Sequence, residues 1–246
     1  MVGRCFGKLR PLTAYRWDLV GSLIEMLDDR ESSSPRDELA ELTGMKIGPS
    51  QAPDDDTMRL ARAASRQLAL GSASQGVTST LTFLAKLVHA RAVVEIGTGA
   101  GVSGLALIRG MAPDGILTSI DLENEHQVAA RQIFAAEGIP TRRVRLIAGS
   151  ALTVLPKLSD GAYDLVVVDG DPLEFVEYVA QAQRLLRSGG VLVLHHALWK
   201  GLIADEANED DETLIIRESL QAVQEMDDFT ATLLPVGDGL LVAVKA

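Results

Sequence analysis

From residue 92 onward the chain alternates between short apolar runs and stretches with helical periodicity. The runs cover residues 92–96, 116–120, 144–148, 165–168 and 191–194, and they are apolar on both faces. Buried parallel strands look like this, and the helical stretches between them supply the crossovers that parallel pairing requires. The C-terminus breaks the rule. Residues 230–235 and 240–244 are separated only by Val236-Gly237-Asp238-Gly239, which predicts a hairpin. The expected architecture is α/β and Rossmann-like: a mostly parallel seven-stranded sheet, helices on both faces, and an antiparallel hairpin at the C-terminus.

Residues 1–56 read differently and are expected to form an N-terminal helical extension with flexible linkers, leaving residues 57–246 as the main domain. Leu19, Val20, Leu23, Ile24 and Leu27 fall at helical spacing and predict an amphipathic helix over 13–27. A polar connector follows at 28–35, then a weaker helix over 36–42 that stops at Gly44, then a linker at 51–55. Asp56 is placed to cap a helix running to about residue 70, and Leu81, Leu84, Leu87 and Val88 mark a further helix leading into the first strand.

In an open parallel sheet, ligands bind outside the carboxyl ends of the strands. The polar residues that close the five parallel runs are therefore expected on one rim. They are Gly97 to Gly101, Asp121, Gly149-Ser150, Asp169-Gly170-Asp171 and His195-His196. The first is the most informative: Glu95 ends a strand, Gly97, Gly99 and Gly101 follow at alternate positions, and a helical pattern starts near Val102. Such a loop lets a nucleoside-bearing ligand approach the backbone at a helix N-terminus. Asp121 closes the next strand, where an acid can accept both ribose hydroxyls. Two ligands fit, a dinucleotide or S-adenosylmethionine. Gly99-x-Gly101-x-x-Gly104 satisfies the dinucleotide fingerprint, yet that frame leaves Glu95 and Gly97 unexplained.

Composition narrows the field further. At 246 residues and 47% hydrophobic, the chain can bury one large core. Its formal net charge of -11, with no basic stripe, argues for small-molecule partners and against nucleic acid. Cys5 is the only cysteine, which speaks against a disulfide framework and for a reducing, cytoplasmic setting. No apolar run reaches the length of a membrane span, so no membrane partner is expected.

The strings VVEIGTGAGVSG (93–104), TSIDLE (118–123), YDLVVVDGDP (163–172), LLRSGGVLVL (185–194) and LPVGDGLLVA (234–243) together resemble the small O-methyltransferases, the group containing the catechol and caffeoyl-CoA enzymes. The likeness runs in order over residues 56–246 and is nearest to the small bacterial branch. It implies the class I methyltransferase fold, S-adenosylmethionine as cofactor, and methyl transfer to a hydroxyl of a small, aromatic acceptor. It further implies that Glu95, Gly97, Thr98, Gly99 and Ser103 hold the methionine end of the cofactor and that Asp121 binds the ribose with Leu122 beside the adenine. Ser150 and Ala151 would then lie along the adenine edge, Asp171 near the sulfonium, and Ala73 and Ser74 where the N-terminal segment touches the cofactor. Asp169 matches the acid that contacts metal and acceptor.

Two departures stand out. Where the family carries Asp-Asn, completing an oxygen-rich Mg2+ site, this chain has His195-His196, so whether it uses a divalent metal is open. Adjacent strand residues point to opposite faces, so both imidazoles reach one point only if the chain turns there. The family's lysine after the second acid is Pro172 here. A histidine, His195 or His196, then becomes the expected general base, with Asp169 orienting it or the acceptor. Trp199 is placed to stack on an aromatic acceptor. The apolar face of the N-terminal helix is expected to cover the acceptor pocket or to pack across a homodimer. Three classes stay open: an O-methyltransferase, a nicotinamide-dependent oxidoreductase using the other glycine frame, and a cofactor-binding homologue without catalysis.

Overall fold

Over residues 54–246, which the computed structural model describes, seven strands form one sheet in the order β3-β2-β1-β4-β5-β7-β6. They are β1 (Ala92–Ile96), β2 (Ile116–Asp121), β3 (Val144–Ala148), β4 (Tyr163–Val168), β5 (Leu186–His195), β6 (Phe229–Leu234) and β7 (Leu240–Lys245). The first five are parallel, and β7 runs antiparallel between β5 and β6. The helices expected over 13–27 and 36–42, with Cys5, lie outside the described residues. Among those residues seven α-helices flank the sheet: α1 (Asp56–Gln67), α2 (Gln75–Leu87), α3 (Val102–Gly110), α4 (Asn124–Ala136), α5 (Ala151–Val154), α6 (Phe175–Leu185) and α7 (Asp211–Glu225).

The apolar runs behave as two-faced strands. Along β4, Leu165 and Val167 enter the core under α1 to α4, while Val166 and Val168 enter the core under α6 and α7. β1 and β5 alternate in the same way, Val93 against Val94 and Val193 against Leu194. Each such fully buried aliphatic side chain contributes about 1.5–3 kcal/mol of transfer free energy, which is why no polar alternation is visible. The two edge strands, β3 and β6, are only partly buried.

Boundaries differ from expectation most at α1 and β5. Asp55, not Asp56, caps α1, its carboxylate accepting from the Met58 amide at 2.9 Å, and the helix ends at Gln67 rather than near residue 70. β5 begins at Leu186, five residues before the apolar run, because Leu186 already pairs with Tyr163 across a register shift before Val191 joins Leu165. Asp211 and Glu212 stand in the first turn of α7, where they complement the helix dipole.

The order of strands fixes the site. From β1 the chain steps outward to β2 and β3, then returns to β4 on the other side of β1. The crevice at that reversal, above the carboxyl ends of β1 and β4, is where open α/β sheets take their ligands.

Candidate active site

The loop after β1 is built by glycine. Gly97 has φ +94°, and a Cβ there would lie 2.1 Å from the carbonyl oxygen of Asp169, which follows β4. Gly101, the N-cap of α3, has φ +86°, and its Cβ would meet Ala130 of α4 at 3.1 Å. Neither position accepts a side chain, so the loop lies tight on its neighbours with its backbone toward the crevice.

Below the loop runs a buried polar relay. Gln127 Nε2 donates to Thr98 Oγ1 at 2.9 Å, and the Ser119 hydroxyl donates to Glu95 Oε2 at 2.6 Å. Thr98 and Ser119 are 2.6 Å apart, and since the Ser119 proton is committed to Glu95, the Thr98 hydroxyl donates to Ser119. Glu95 is fully buried, behind the wall of the crevice. It sits one layer beneath, holding Thr98 through Ser119. Burial pushes its carboxyl up to about 7, against the pull of the Ser119 and Ser103 hydroxyls, and Oε1 is buried without a partner.

That shift has a consequence for stability. The folded chain keeps a proton that the unfolded chain, at the ordinary value of 4.5, has released. The stabilisation is complete below about pH 4.5 and is lost as pH rises to about 7, a change of about 3 kcal/mol. Glu95→Gln keeps an acceptor for Ser119 and removes the titration. In urea titrations at about pH 5 and about pH 8, the wild type should lose about 2.5 kcal/mol relative to Glu95→Gln; parallel losses in both proteins would contradict it.

Asp121, at the end of β2, faces the loop from the other side. Its Oδ2 accepts from the Gly99 amide at 2.9 Å, and its Oδ1 accepts from the Glu123 amide and pairs with His126 Nδ1, both at 2.9 Å. The crevice between these elements is a cavity of about 570 Å³, within the range typical of small-molecule sites. Gly97, Thr98, Gly99, Ser103, Asp121, Leu122, Ser150, Ala151, Asp169, Asp171, His195 and His196 all line it, as does Ala73. Ser74 does not: its hydroxyl caps α2, accepting from Val77 at 3.3 Å. Trp199 also lines the cavity, edge-on to His196 with ring centroids 6.1 Å apart.

The two histidines converge because the strand stops between them. His195 is the last residue of β5, and His196 turns into the left-handed region at φ +58°, followed by Trp199 at +45° and Lys200 at +56°. Such a run of left-handed residues other than glycine needs outside support. The turn between β6 and β7 supplies it. The Asp238 carbonyl accepts from the Leu198 amide at 2.9 Å, Asp238 Oδ1 accepts from the Lys200 amide at 2.6 Å, and Asp238 Oδ2 meets His196 Nδ1 at 2.8 Å.

The imidazoles stack with centroids 3.9 Å apart. His195 Nδ1 lies 2.8 Å from Asp169 Oδ1, and His196 Nε2 lies 3.5 Å from the same oxygen. With Nδ1 of His196 donating to Asp238, its Nε2 carries a lone pair that faces the Asp169 carboxylate. Two electron-pair donors facing each other across that gap are stabilised by a proton, a hydroxyl or a cation between them. Asp238 escapes a reading of the sequence, since an acid flanked by glycines in a hairpin reads as turn chemistry alone. Tyr178 and Glu174, hydrogen-bonded to each other and lining the cavity, escape it as well, because Tyr178 falls on the apolar face of α6.

Comparison with known proteins gives a consistent result. Residues 56–246 match the family model described as O-methyltransferase. A Mycobacterium tuberculosis protein named "Probable O-methyltransferase" is 46% identical over 192 residues, covering 78% of this chain and 86% of that protein. A Corynebacterium glutamicum protein of known structure is 32% identical with a TM-score of 0.76, covering 80% of this chain and 93% of that one. The O-methyltransferase TomG from Streptomyces achromogenes, involved in tomaymycin synthesis and solved with S-adenosylmethionine, is 26% identical with a TM-score of 0.75, covering 87% of this chain and all of that one.

Proposed function

The chain belongs to the O-methyltransferase family, and from that premise we propose that it methylates a hydroxyl of a small aromatic acceptor, with Asp169, His195 and His196 handling that hydroxyl. S-adenosylmethionine is the methyl donor of such an enzyme, and the dinucleotide frame of the glycines falls away with it. The observation that carries the reading is that one cavity joins the glycine loop and Asp121 to the Asp169, His195 and His196 cluster.

The cavity suits the donor. Gly97 and Gly99 present backbone without side chains, and Asp121 would exchange its bond from the Gly99 amide for the two ribose hydroxyls. Leu122 and Ser150 with Ala151 border the adenine in this reading, Thr98 and Ser103 the methionine end, and Asp171 the sulfonium. When bound, the donor supplies an electrophilic methyl on a sulfonium. The protein's part is to hold the acceptor oxygen in line with that carbon and to take its proton. His196 Nε2 is the group for the second task. Its lone pair faces the cavity side of Asp169, and the imidazolium formed on proton uptake lies between two carboxylates, Asp238 and Asp169. Trp199 offers the acceptor a ring edge or face, which supports an aromatic substrate.

We read residues 57–246 as the catalytic domain of a homodimer. The family match beginning at residue 56 supports the boundary. Exposed Leu60 on α1 and Phe83 and Leu87 on α2 support a partner surface. The single cysteine supports a cytoplasmic setting, and no described helix is long and apolar enough to cross a membrane.

Incubating the full chain with methyl-labelled S-adenosylmethionine and a panel of phenols, aliphatic alcohols and amines tests the acceptor. Label should enter an aryl methyl ether with release of S-adenosylhomocysteine. Transfer to amines or aliphatic alcohols alone would overturn the aromatic hydroxyl, and cofactor binding without any transfer would favour a non-catalytic homologue.

A further inference from the structure

The side chains at the end of β5 do not suit the ion that the resemblance implies. Mg2+ takes oxygen ligands in near-octahedral array and is reluctant to lose its water. Here one carboxylate, Asp169, stands with two imidazoles, and all three present ligand atoms within 4.8 Å of one another. We propose that Asp169, His195 and His196 form a site for a borderline transition ion of the Zn2+ class, in place of a Mg2+ site.

Three observations carry this. The donor set comes first: mixed imidazole and carboxylate ligands select Zn2+, Co2+ or Ni2+ over hard cations. The second is spacing. Asp169 Oδ1 lies 2.8 Å from His195 Nδ1 and 3.5 Å from His196 Nε2, on either side of the roughly 3.3 Å that separates ligands about 2.0 Å from one tetrahedral ion. The third is the outer carboxylate. A histidine that binds a metal through one nitrogen almost always donates the other N–H to an oxygen acceptor, which fixes the tautomer and raises the ligand's basicity. Asp238 does this for His196, meeting Nδ1 at 2.8 Å and leaving Nε2 aimed at Asp169.

The backbone is arranged to the same end. Regular strand geometry would send the two imidazoles to opposite faces. The left-handed turn at His196, fastened by Asp238 to Leu198 and Lys200, brings both rings to one side. Three protein ligands facing an open cavity leave room for a solvent or substrate oxygen as the fourth. The proposal concerns ligation and does not depend on the methyl-transfer reading. An Nε2 that holds an ion cannot also accept a proton, so the ion-loaded and proton-accepting forms of His196 are alternative states of one site.

The test is calorimetric titration of the tag-free, chelator-treated full chain with ZnCl2 and separately with MgCl2, together with the visible absorption of the Co2+-loaded protein. One Zn2+ per chain should bind at micromolar concentration or tighter, Co2+ should show the absorption of a four- or five-coordinate ion, and Mg2+ should give no heat at millimolar concentration. His196→Gln and Asp169→Asn should weaken Zn2+ at least about tenfold, and Asp238→Asn about 10–100-fold. The thermal unfolding transition of each variant reports that the fold is intact. Absence of saturable Zn2+ binding to the wild type, or unchanged Zn2+ affinity in a folded His196→Gln, would overturn the proposal. Zn2+ binding without any S-adenosylhomocysteine binding would leave the ion site standing and remove the methyltransferase reading.

Discussion

In ion-free protein, His196→Gln lowers kcat for methyl transfer about 10²–10⁴-fold, the usual contribution of a positioned general base, while affinity for S-adenosylhomocysteine stays nearly unchanged. Glutamine preserves much of the volume and polarity of the side chain, but its amide cannot take a proton. His196 is better placed than His195 for the task. Asp238 holds the Nδ1 proton of His196 and leaves Nε2 bare, whereas His195 is buried and spends Nδ1 on Asp169 at 2.8 Å. Unchanged turnover in both His196→Gln and His195→Gln would remove histidine as the base.

Gly97→Ala is expected to cost about 4 kcal/mol, and so about 10 °C in Tm, with loss of S-adenosylhomocysteine binding. A methyl group at this position would sit 2.1 Å from the Asp169 carbonyl oxygen and 2.7 Å from its carbon, both of them backbone atoms that cannot swing aside. The loop must then lift away from β4 and carry Thr98 off its bond to Ser119. Gly138→Ala separates the causes, since Gly138 has a similar φ of +76° but nothing within 4 Å of the place a Cβ would take. That control measures the left-handed backbone cost alone, about 1 kcal/mol. Equal effects at the two glycines would show that the clash with Asp169 is relieved at no cost.

Most of the fold could be read from the chain. Unalternated runs such as Leu165 to Val168 announced parallel strands with both faces buried, and Gly237 with Gly239 announced the hairpin. The rim was legible for the same reason, because strand ends in a parallel sheet share one edge. What escaped was chemistry acting at second hand. Glu95 stands at the end of β1 in the sequence, but its bond from Ser119, which in turn meets Thr98, joins it to residues distant along the chain. Nothing in its spacing distinguishes a carboxylate at the surface from one a layer below. Asp238 stands 42 residues beyond His196 and reaches it only because β7 pairs with β5 in antiparallel register, His195 opposite Leu240. The convergence of two adjacent histidines depends on one left-handed residue that is not glycine, and such strain is held by tertiary bonds and leaves no mark in the local sequence.

The central claim is that the cavity above β1 and β4 is an S-adenosylmethionine site. Calorimetric titration of the full chain with S-adenosylhomocysteine, and with NADH as the competing ligand of the same glycine loop, tests it most directly. Saturable one-to-one binding of S-adenosylhomocysteine, strongly weakened by Asp121→Ala, with no heat from NADH, is the predicted result. Binding of NADH alone, or S-adenosylhomocysteine binding indifferent to Asp121, would contradict it.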